Sequence, residues 1–317
     1  MDVWLLAAQL MVSGALDGGE RGVVDWGAEP SAIAGLSPTS ALDPPPPFAP
    51  AAPPSAPSME AVVNRWPSPS QVMTPMRRSP AQGSPNLRPV TGSQLYQLRA
   101  AALDAGDLYA QAAPHRYIEQ WQRAYGSPTH TDWQLLLAAE AAAVARRQGQ
   151  ADLAVVVGDS LALWLPVDGL PHQLWLNQSI SGETTAHMLQ RLHYFAETRP
   201  QTIYVMAGIN DLKNGVSEAT VVDNLYQMML RLRQQHPQAR LVVYSILPTR
   251  LRDVSGDRIL RVNQRLATLA TYQGATFVDL HPSFSDSQGL LRLDLTTDGL
   301  HLSPQGYSLW QAALVSP

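Results

Sequence analysis

From residue 151 onward, short apolar β-branched runs alternate with longer segments whose apolar positions recur with a helical period. Five of the short runs predict strands: LAVVV (153–157), QLWLNQS (173–179), TIYVMAG (202–208), ARLVVYSIL (239–247) and ATFVDLH (275–281). Strands that alternate with helices in this way form a parallel sheet covered on both faces. The pattern therefore predicts an α/β fold around a parallel five-stranded sheet.

Two of the longer segments have the pattern of amphipathic helices. One runs from about residue 183 to 198, and the other from about 217 to 235. The second places four apolar residues on one stripe, namely Val222, Leu225, Met229 and Leu232. Pro200 and Pro237 follow the two ends, where a helix-breaking residue is expected. The connection between the first two strands has no long helical pattern.

Residues 93–150 show a helical pattern of their own. One face of a single helix collects Trp133, Leu136, Leu137, Glu140 and Val144. Thr131 and Gln134 match the capping box at which many helices begin, and Trp121 and Tyr125 form a similar aromatic pair in the preceding segment. Helical spacing of aromatics favours packing over a cofactor cage, so we predict a small helical segment that docks on the domain at 151–317.

The region 1–92 lacks both patterns. Between residues 38 and 89 lie 15 of the 26 prolines, mixed with Ser and Ala, which predicts a disordered linker acting as a spacer. The apolar run 3–16 is shorter than the ~20 residues that span a bilayer. It resembles the core of a signal peptide with Ser13 and Ala15 as cleavage-site residues, although Asp2 stands where a basic residue is expected. Membrane contact is expected only through this run, and export stays open.

Composition narrows the class of protein. The 317 residues are 45% hydrophobic and 15% charged, with a formal net charge of -4, which argues against a nucleic-acid partner. The absence of cysteine removes disulfides, thiolate zinc sites and cysteine nucleophiles, and leaves the compartment open. The motifs G-x-S-x-G, G-x-x-x-x-G-K-[ST], G-x-G-x-x-G and H-E-x-x-H are missing. We therefore expect a small-molecule partner and neither a metal nor a cofactor.

Polar residues stand where the strands end. The first strand is followed by Gly158, Asp159 and Ser160, the second by SISGET with Gly182, and the third by GIND with Asn210. Near the C-terminus, TTDGLHLSPQGY supplies Asp298 and His301 ahead of a helix capped by Ser303. Because the carboxyl ends of parallel strands form the ligand-binding edge of a sheet, these residues are expected to converge there.

The residue types suit nucleophilic acyl transfer. Ser160 would be the nucleophile, His301 its base, and Asp298 the carboxylate that orients the imidazole. The backbone N–H groups of Ser160 and Gly182, with the Asn210 amide, would form the oxyanion hole. Each motif also has a simpler interpretation as a turn, a helix cap or a surface hydrogen bond. Their joint occurrence at successive strand ends favours the catalytic interpretation.

The remaining polar residues near these motifs are expected to be structural. Asp159 would bond to loop backbone and hold the turn, and Asp279 would support the fifth strand's end. The five other histidines considered have no ligand spacing and are expected at the surface or in loops, namely His172, His187, His193, His236 and His281.

In this order, Ser160, Gly182, Asn210 and His301, with Asp298 three residues before His301, resemble the SGNH hydrolases, the GDSL esterase/lipase family. The resemblance covers residues 152–315 and implies a flavodoxin-like three-layer α/β/α sandwich that hydrolyses carboxylic esters without metal. The runs ISGETTAHMLQRL and TIYVMAGIND are similar to the branch that contains platelet-activating-factor acetylhydrolase subunits. That similarity implies short, acetyl-like acyl groups on a sugar, a lipid or a small alcohol.

Two rival functions stay open at this point. The same site could pass the acyl group to a hydroxyl, as an acyltransferase does. The chain could also be a tethered, non-catalytic binding protein, although the intact set of Ser160, Asn210, Asp298 and His301 speaks against that.

Overall fold

The computed structural model of the chain describes residues 88–108, 112, 114–124 and 126–315. The apolar run at 3–16 and the predicted linker as far as residue 87 lie outside these residues, as does Tyr125. Within the described ranges, no helix combines the length and apolarity that crossing a membrane would require.

Five parallel strands form one sheet in the order β2-β1-β3-β4-β5. They are β1 Leu153–Gly158, β2 Leu174–Ser179, β3 Thr202–Met206, β4 Arg240–Tyr244 and β5 Thr276–Val278. This confirms the predicted five-stranded α/β sheet, and each strand lies within one residue of the predicted run or inside it. The strand order reverses between β1 and β3, which makes their carboxyl ends the switch point of the sheet.

Ten α-helices occur in the described part of the chain. They are α1 Gly92–Asp104, α2 Ile118–Gln122, α3 His130–Arg147, α4 Ser160–Leu163, α5 Thr185–Arg191, α6 Ile209–Lys213, α7 Glu218–Gln235, α8 Gly256–Tyr272, α9 His281–Phe284 and α10 Pro304–Val315. Three short 3₁₀ turns lie at Pro114–Tyr117, Leu192–Phe195 and Leu293–Leu295.

Helices cover both faces of the sheet, as the three-layer prediction requires. Val155 and Val157 of β1 point to the face formed by α3, α5, α7 and α8. Ala154 and Val156 point to the opposite face, where α4 and α10 pack through Leu161 and other apolar residues. The alternation follows from the two-residue period of a strand, which sends successive side chains to opposite sides.

The helical segment docks at the edge strand β2. Trp133, Leu136 and Leu137 of α3 form an apolar cluster with Leu163 of α4 and Ile180, which directly follows β2. Removing this much apolar surface from water supplies most of the docking free energy. The prediction of a docked helical segment is therefore confirmed.

A buried ion pair adds direction to this docking. Arg99 of α1 donates from Nε to Oε1 of Glu140 in α3 at 3.0 Å, and its Nη2 donates to the carbonyl of Asn177 in β2 at 2.7 Å. Because buried charges must be paired and hydrogen-bonded, this contact fixes how α1, α3 and β2 fit together.

Three local predictions were wrong. The cap of α3 is Thr129 with Asp132, whose side chains and backbone N–H groups bond reciprocally at 2.8 and 3.1 Å, and not Thr131 with Gln134. The predicted helix at 183–198 is shorter, since α5 starts only at Thr185 and gives way to a 3₁₀ turn after Arg191. On α7, Val221 rather than Val222 completes the buried stripe.

Candidate active site

Ser160 stands on a tight turn between β1 and α4. At Gly158, an added Cβ would lie 2.5 Å from the carbonyl oxygen of Met206 in β3 and 2.6 Å from Cβ of Ala162. Only glycine allows β1, β3 and α4 to approach so closely. The chain therefore leaves the strand and enters the helix within one residue, which puts Ser160 at the first helical position.

Ser160, His301 and Asp298 form a continuous chain of hydrogen bonds. Ser160 Oγ lies 3.1 Å from His301 Nε2, and His301 Nδ1 lies 2.6 Å from Asp298 Oδ2. The other carboxylate oxygen of Asp298 accepts from the backbone N–H groups of Leu300 at 2.9 Å and His301 at 2.7 Å. Partial burial would raise the pKa of Asp298, but the bonds to His301 and to these N–H groups outweigh it and hold the pKa at about 2. The carboxylate is therefore ionised at neutral pH.

Contacts from another loop hold the turn that carries Asp298 and His301. The Gly299 carbonyl accepts from Oγ1 of Thr249 at 2.9 Å and from the N–H of Arg250 at 2.8 Å. Thr296 Oγ1 donates to the carbonyl of His301 at 2.7 Å. These bonds fix the backbone on both sides of the His301 imidazole. The supporting role of the loop after β4 was missing from the sequence prediction.

Gly182 and Asn210 lie in neighbouring loops at the same edge of the sheet. Gly158 pairs with both Ser179 of β2 and Met206 of β3, so the loops after the three strands begin level with one another. Gly182 has φ +80°, a left-handed conformation that favours glycine. Asn210, in the first turn of α6, donates from Nδ2 to the carbonyl of Glu183 at 3.0 Å. The structure thus joins Asn210 to the residue directly after Gly182.

Acidic residues next to Gly182 and Asn210 hold this pair of loops together. Asp211 accepts from the N–H of Thr185 at 2.8 Å and from its hydroxyl at 2.6 Å. Glu183 is buried and accepts from Nε of Arg191 at 2.8 and 3.0 Å, while Nη1 of Arg191 donates to the carbonyl of Gln178 at 2.7 Å. Sequence reasoning missed these residues, although an acidic side chain beside each predicted oxyanion donor was a usable signal.

Asp159 lies in the turn directly before Ser160. Its Oδ1 accepts from the N–H of Leu161 at 3.0 Å, which agrees with the predicted support of the turn. Its Oδ2 is buried and finds no partner among the described residues. Burial raises the pKa of this carboxyl to about 7, despite the opposing bond from Leu161.

A pocket opens beside these residues. The space between its lining atoms is about 280 Å³ and includes open solvent, and neither Ser160 nor His301 belongs to the lining. Most of the lining residues have apolar side chains, and Leu161, Ile209 and Leu300 are sequence neighbours of Ser160, Asn210 and His301. The remaining wall is supplied by Asp159, Met206, Ala207, Ile246, Leu247 and Pro248.

His281, buried at the start of α9, departs from the prediction that these histidines lie at the surface or in loops, whereas His236 lies in the loop after α7. His236 and His281 are buried, and burial lowers the pKa of both, that of His236 to about 4. Asp279 accepts from the N–H of His281 at 3.1 Å, in keeping with its predicted structural role. In the described ranges, no cluster of three or more His, Asp or Glu is arranged to hold a metal ion.

An open parallel sheet with a hydroxyl, an imidazole and a carboxylate linked in series at its carboxyl edge is typical of hydrolases with a serine nucleophile. The chain belongs to the GDSL-like Lipase/Acylhydrolase family, whose model matches residues 149–309. The resemblance to the SGNH hydrolases is thereby confirmed, and membership supports a hydrolase of the esterase type.

Individual relatives agree with this family. The chain is 31% identical over 168 residues to platelet-activating factor acetylhydrolase IB subunit alpha1 of Pongo abelii, covering 49% of this chain and 70% of the relative. The Homo sapiens protein of the same name is 30% identical over 165 residues, covering 49% and 70%. A solved structure from Streptococcus pneumonia, described as a platelet activating factor, superposes with a TM-score of 0.53 at 24% identity. That match covers 58% of this chain and 92% of the other, and it shows a shared fold.

Proposed function

We propose that the protein is a serine esterase that hydrolyses carboxylic esters through an acyl-serine intermediate. The observation that carries the proposal is the hydrogen-bonded series from Ser160 Oγ through the His301 imidazole to Asp298. Ser160 is the nucleophile, His301 the general base and then acid, and Asp298 the carboxylate that fixes the imidazole.

The reaction has two halves. Ser160 Oγ attacks the ester carbonyl carbon while His301 Nε2 takes the hydroxyl proton, and the tetrahedral intermediate collapses as His301 returns that proton to the leaving alcohol. Water then attacks the acyl-serine carbonyl while His301 Nε2 takes one of its protons, and the second tetrahedral intermediate collapses as His301 returns that proton to Ser160 Oγ and the acid is released. Throughout, Asp298 accepts the Nδ1–H hydrogen bond and stabilises the imidazolium.

Charge on the intermediate's oxygen needs donors that are in place beforehand. The backbone N–H groups of Ser160 and Gly182 and the Asn210 side chain are the proposed donors. Nδ2 of an amide carries two hydrogens, and in Asn210 one of them is bonded to the Glu183 carbonyl. The second hydrogen is the one proposed to bind the oxyanion.

The substrate proposal is an ester of a short, acetyl-like acyl group. The pocket lined by Leu161 and Ile209 consists mainly of residues with apolar side chains, which suit methyl and methylene groups. Two relatives are named acetylhydrolases, which supports the same choice. The alcohol part is proposed to belong to a sugar, a lipid or a small alcohol.

A fluorophosphonate probe and a series of p-nitrophenyl esters from acetyl to palmitoyl test the proposal. Only an activated serine reacts with the probe, so wild type should be labelled and should prefer the short esters. Ser160→Ala and His301→Ala should each reduce turnover to near background, and the double variant should be no slower, because the two groups act as one unit. The exposed Ser308 provides the matched control, and Ser308→Ala should behave as wild type.

Two results would contradict the esterase proposal. Wild type that neither reacts with the probe nor cleaves any ester would overturn the proposal in favour of a non-catalytic binding protein. Acylated alcohol in place of free acid, when alcohol or glycan acceptors are added, would reassign the site to acyl transfer.

A further inference from the structure

The loop 180–185, here called the oxyanion loop, carries Gly182 and is held from three sides. Asn210 bonds to its Glu183 carbonyl, and Asp211 bonds to Thr185. Arg191 neutralises the Glu183 carboxylate from the end of α5. Glu183 is therefore the central residue of this loop, since its backbone contacts Asn210 and its side chain anchors the chain to α5.

A third contact reaches Glu183 from outside the family-matched region. His130, the first residue of α3, lies before residues 149–309 in the chain. Its Nε2 is 2.9 Å from Oε1 of Glu183. The His130 side chain is 46% exposed, whereas that of Glu183 is 1% exposed. A half-exposed imidazole of the helical segment thus bonds to a buried carboxylate of the site.

We propose that His130 is a positioning residue for the oxyanion hole, so that the helical segment completes the catalytic unit. The inference rests on the proposed esterase function. A carboxylate accepts several hydrogen bonds, and those from Arg191 reach Glu183 from the side of α5. His130 donates from the opposite element and fixes the carboxylate between α3 and α5. Since Glu183 follows Gly182 and bonds to Asn210, its position sets the placement of two proposed oxyanion donors.

Docking of the helical segment does not depend on this contact. The buried cluster around Trp133 and Leu137 and the Arg99–Glu140 ion pair already hold α3 against the sheet edge. A partly exposed pair such as His130–Glu183 adds little to stability, typically less than ~1 kcal/mol. Effects on catalysis and on folding should therefore separate when His130 is changed.

The test compares His130→Ala with His130→Gln in the full chain. We expect His130→Ala to lower kcat about 3- to 10-fold, as for the loss of one typical partly exposed hydrogen bond, with KM unchanged and Tm within about 2 °C of wild type. Gln keeps an N–H donor of similar reach, so His130→Gln should recover most of the activity. Affinity for a trifluoromethyl ketone, whose hemiketal carries the tetrahedral oxyanion, should fall in parallel with kcat.

His193→Ala is the matched control, because His193 is also exposed and bonds only locally, from Nδ1 to the carbonyl of Gln190. It should leave kcat and inhibitor affinity unchanged. An active wild type with an unaffected His130→Ala variant would overturn the inference alone. So would equal losses in the Ala and Gln variants, or a fall in Tm with normal kcat per titrated active site. An inactive wild type would overturn the proposed function, and the inference with it.

Discussion

At the scale of single residues, Asn210 has two possible roles, helix cap and oxyanion donor, and they predict different effects of its substitution. The sequence allowed a helix cap, but the cap position of α6 is Gly208, and Asn210 lies inside the first turn with its amide on the Glu183 carbonyl. We predict that Asn210→Ala lowers kcat roughly 10²- to 10³-fold, the effect of losing one oxyanion donor. The lost buried hydrogen bond contributes about 1 kcal/mol, so Tm should fall by only a few degrees.

Steady-state kinetics and thermal melts of the same samples measure both effects. The exposed Asn214→Ala, at the end of the same helix, is the control and should match wild type. An Asn210→Ala variant that melts early but keeps its normal kcat would remove this residue from the oxyanion hole.

Asp159 gives a prediction about pH at the same scale. Its carboxyl ionises near 3.8 in the unfolded chain and at about 7 in the folded one. Between these values the folded state keeps a proton that the unfolded state has released, so the free energy of unfolding falls as pH rises. About three pKa units at ~1.4 kcal/mol each give a loss of roughly 4 kcal/mol by pH 8.

The isosteric Asp159→Asn should abolish this slope, since an amide keeps the acceptor for Leu161 but does not titrate. Thermal melts at pH 5 and pH 8 check this prediction. The fall in Tm from pH 5 to pH 8 should be smaller in the variant than in wild type. Other titrating groups such as His236 are present in both proteins, so the difference between the two curves isolates Asp159. Parallel curves would show that this carboxyl keeps an ordinary pKa.

At the scale of elements, the sequence predicted what depends on local periodicity. The strands are short runs, most of them apolar, and the first three are followed by Gly, Ser or Asn at the edge that a parallel sheet exposes to ligand. Ser160, Gly182 and Asn210 could therefore be located at this edge before any coordinates, while their catalytic roles stay predictions. Asp298 and His301 could be paired because three residues of a turn bring them together.

Element starts were predicted less well, for a physical reason. The first turn of α3, His130 to Asp132, is polar, so its apolar stripe begins with Trp133, one turn after the helix does. Its cap also uses Asp132 where Glu or Gln is usual. Likewise, the helix predicted from about residue 183 starts only at Thr185, and Glu183 lies in the preceding loop with its side chain bonded to Arg191.

Contacts between distant elements could not be predicted from a single sequence. Arg99 and Glu140 are 41 residues apart, and His130 and Glu183 are 53 apart. The sequence pattern places Glu140 on the apolar face of α3, but nothing in it identifies Arg99 as its partner or joins His130 to Glu183, since charged residues on helices are usually solvated. Only the docking of α1 and α3 on the edge of β2 brings them together.

At the scale of the whole molecule, the helical segment and the sheet share one core. Ala141 and Val144 of α3 belong to the same cluster as Leu153 and Leu174 of the sheet. The segment therefore covers apolar surface that would otherwise face water. The division at residue 150 remains a prediction about sequence organisation, because the packing continues across it.

Two truncations test this organisation. Removing residues 1–87 should leave kcat within twofold and Tm within about 2 °C, since a proline-rich composition offers little to bury. The cut spares Thr91, whose side chain caps α1 by accepting from the N–H of Gln94.

Removing residues 1–148 should instead leave a chain that does not fold. The helical segment's five large buried apolar side chains, which pack on the sheet domain, would be lost: Leu95, Trp133, Leu136, Leu137 and Val144. At roughly 1.5–3 kcal/mol each, that loss matches the 5–15 kcal/mol stability of a typical domain. Circular dichroism melts and active-site labelling of both truncations test these two expectations. If the chain without residues 1–148 melts at the wild-type temperature, the sheet and its site are stable without the helical segment.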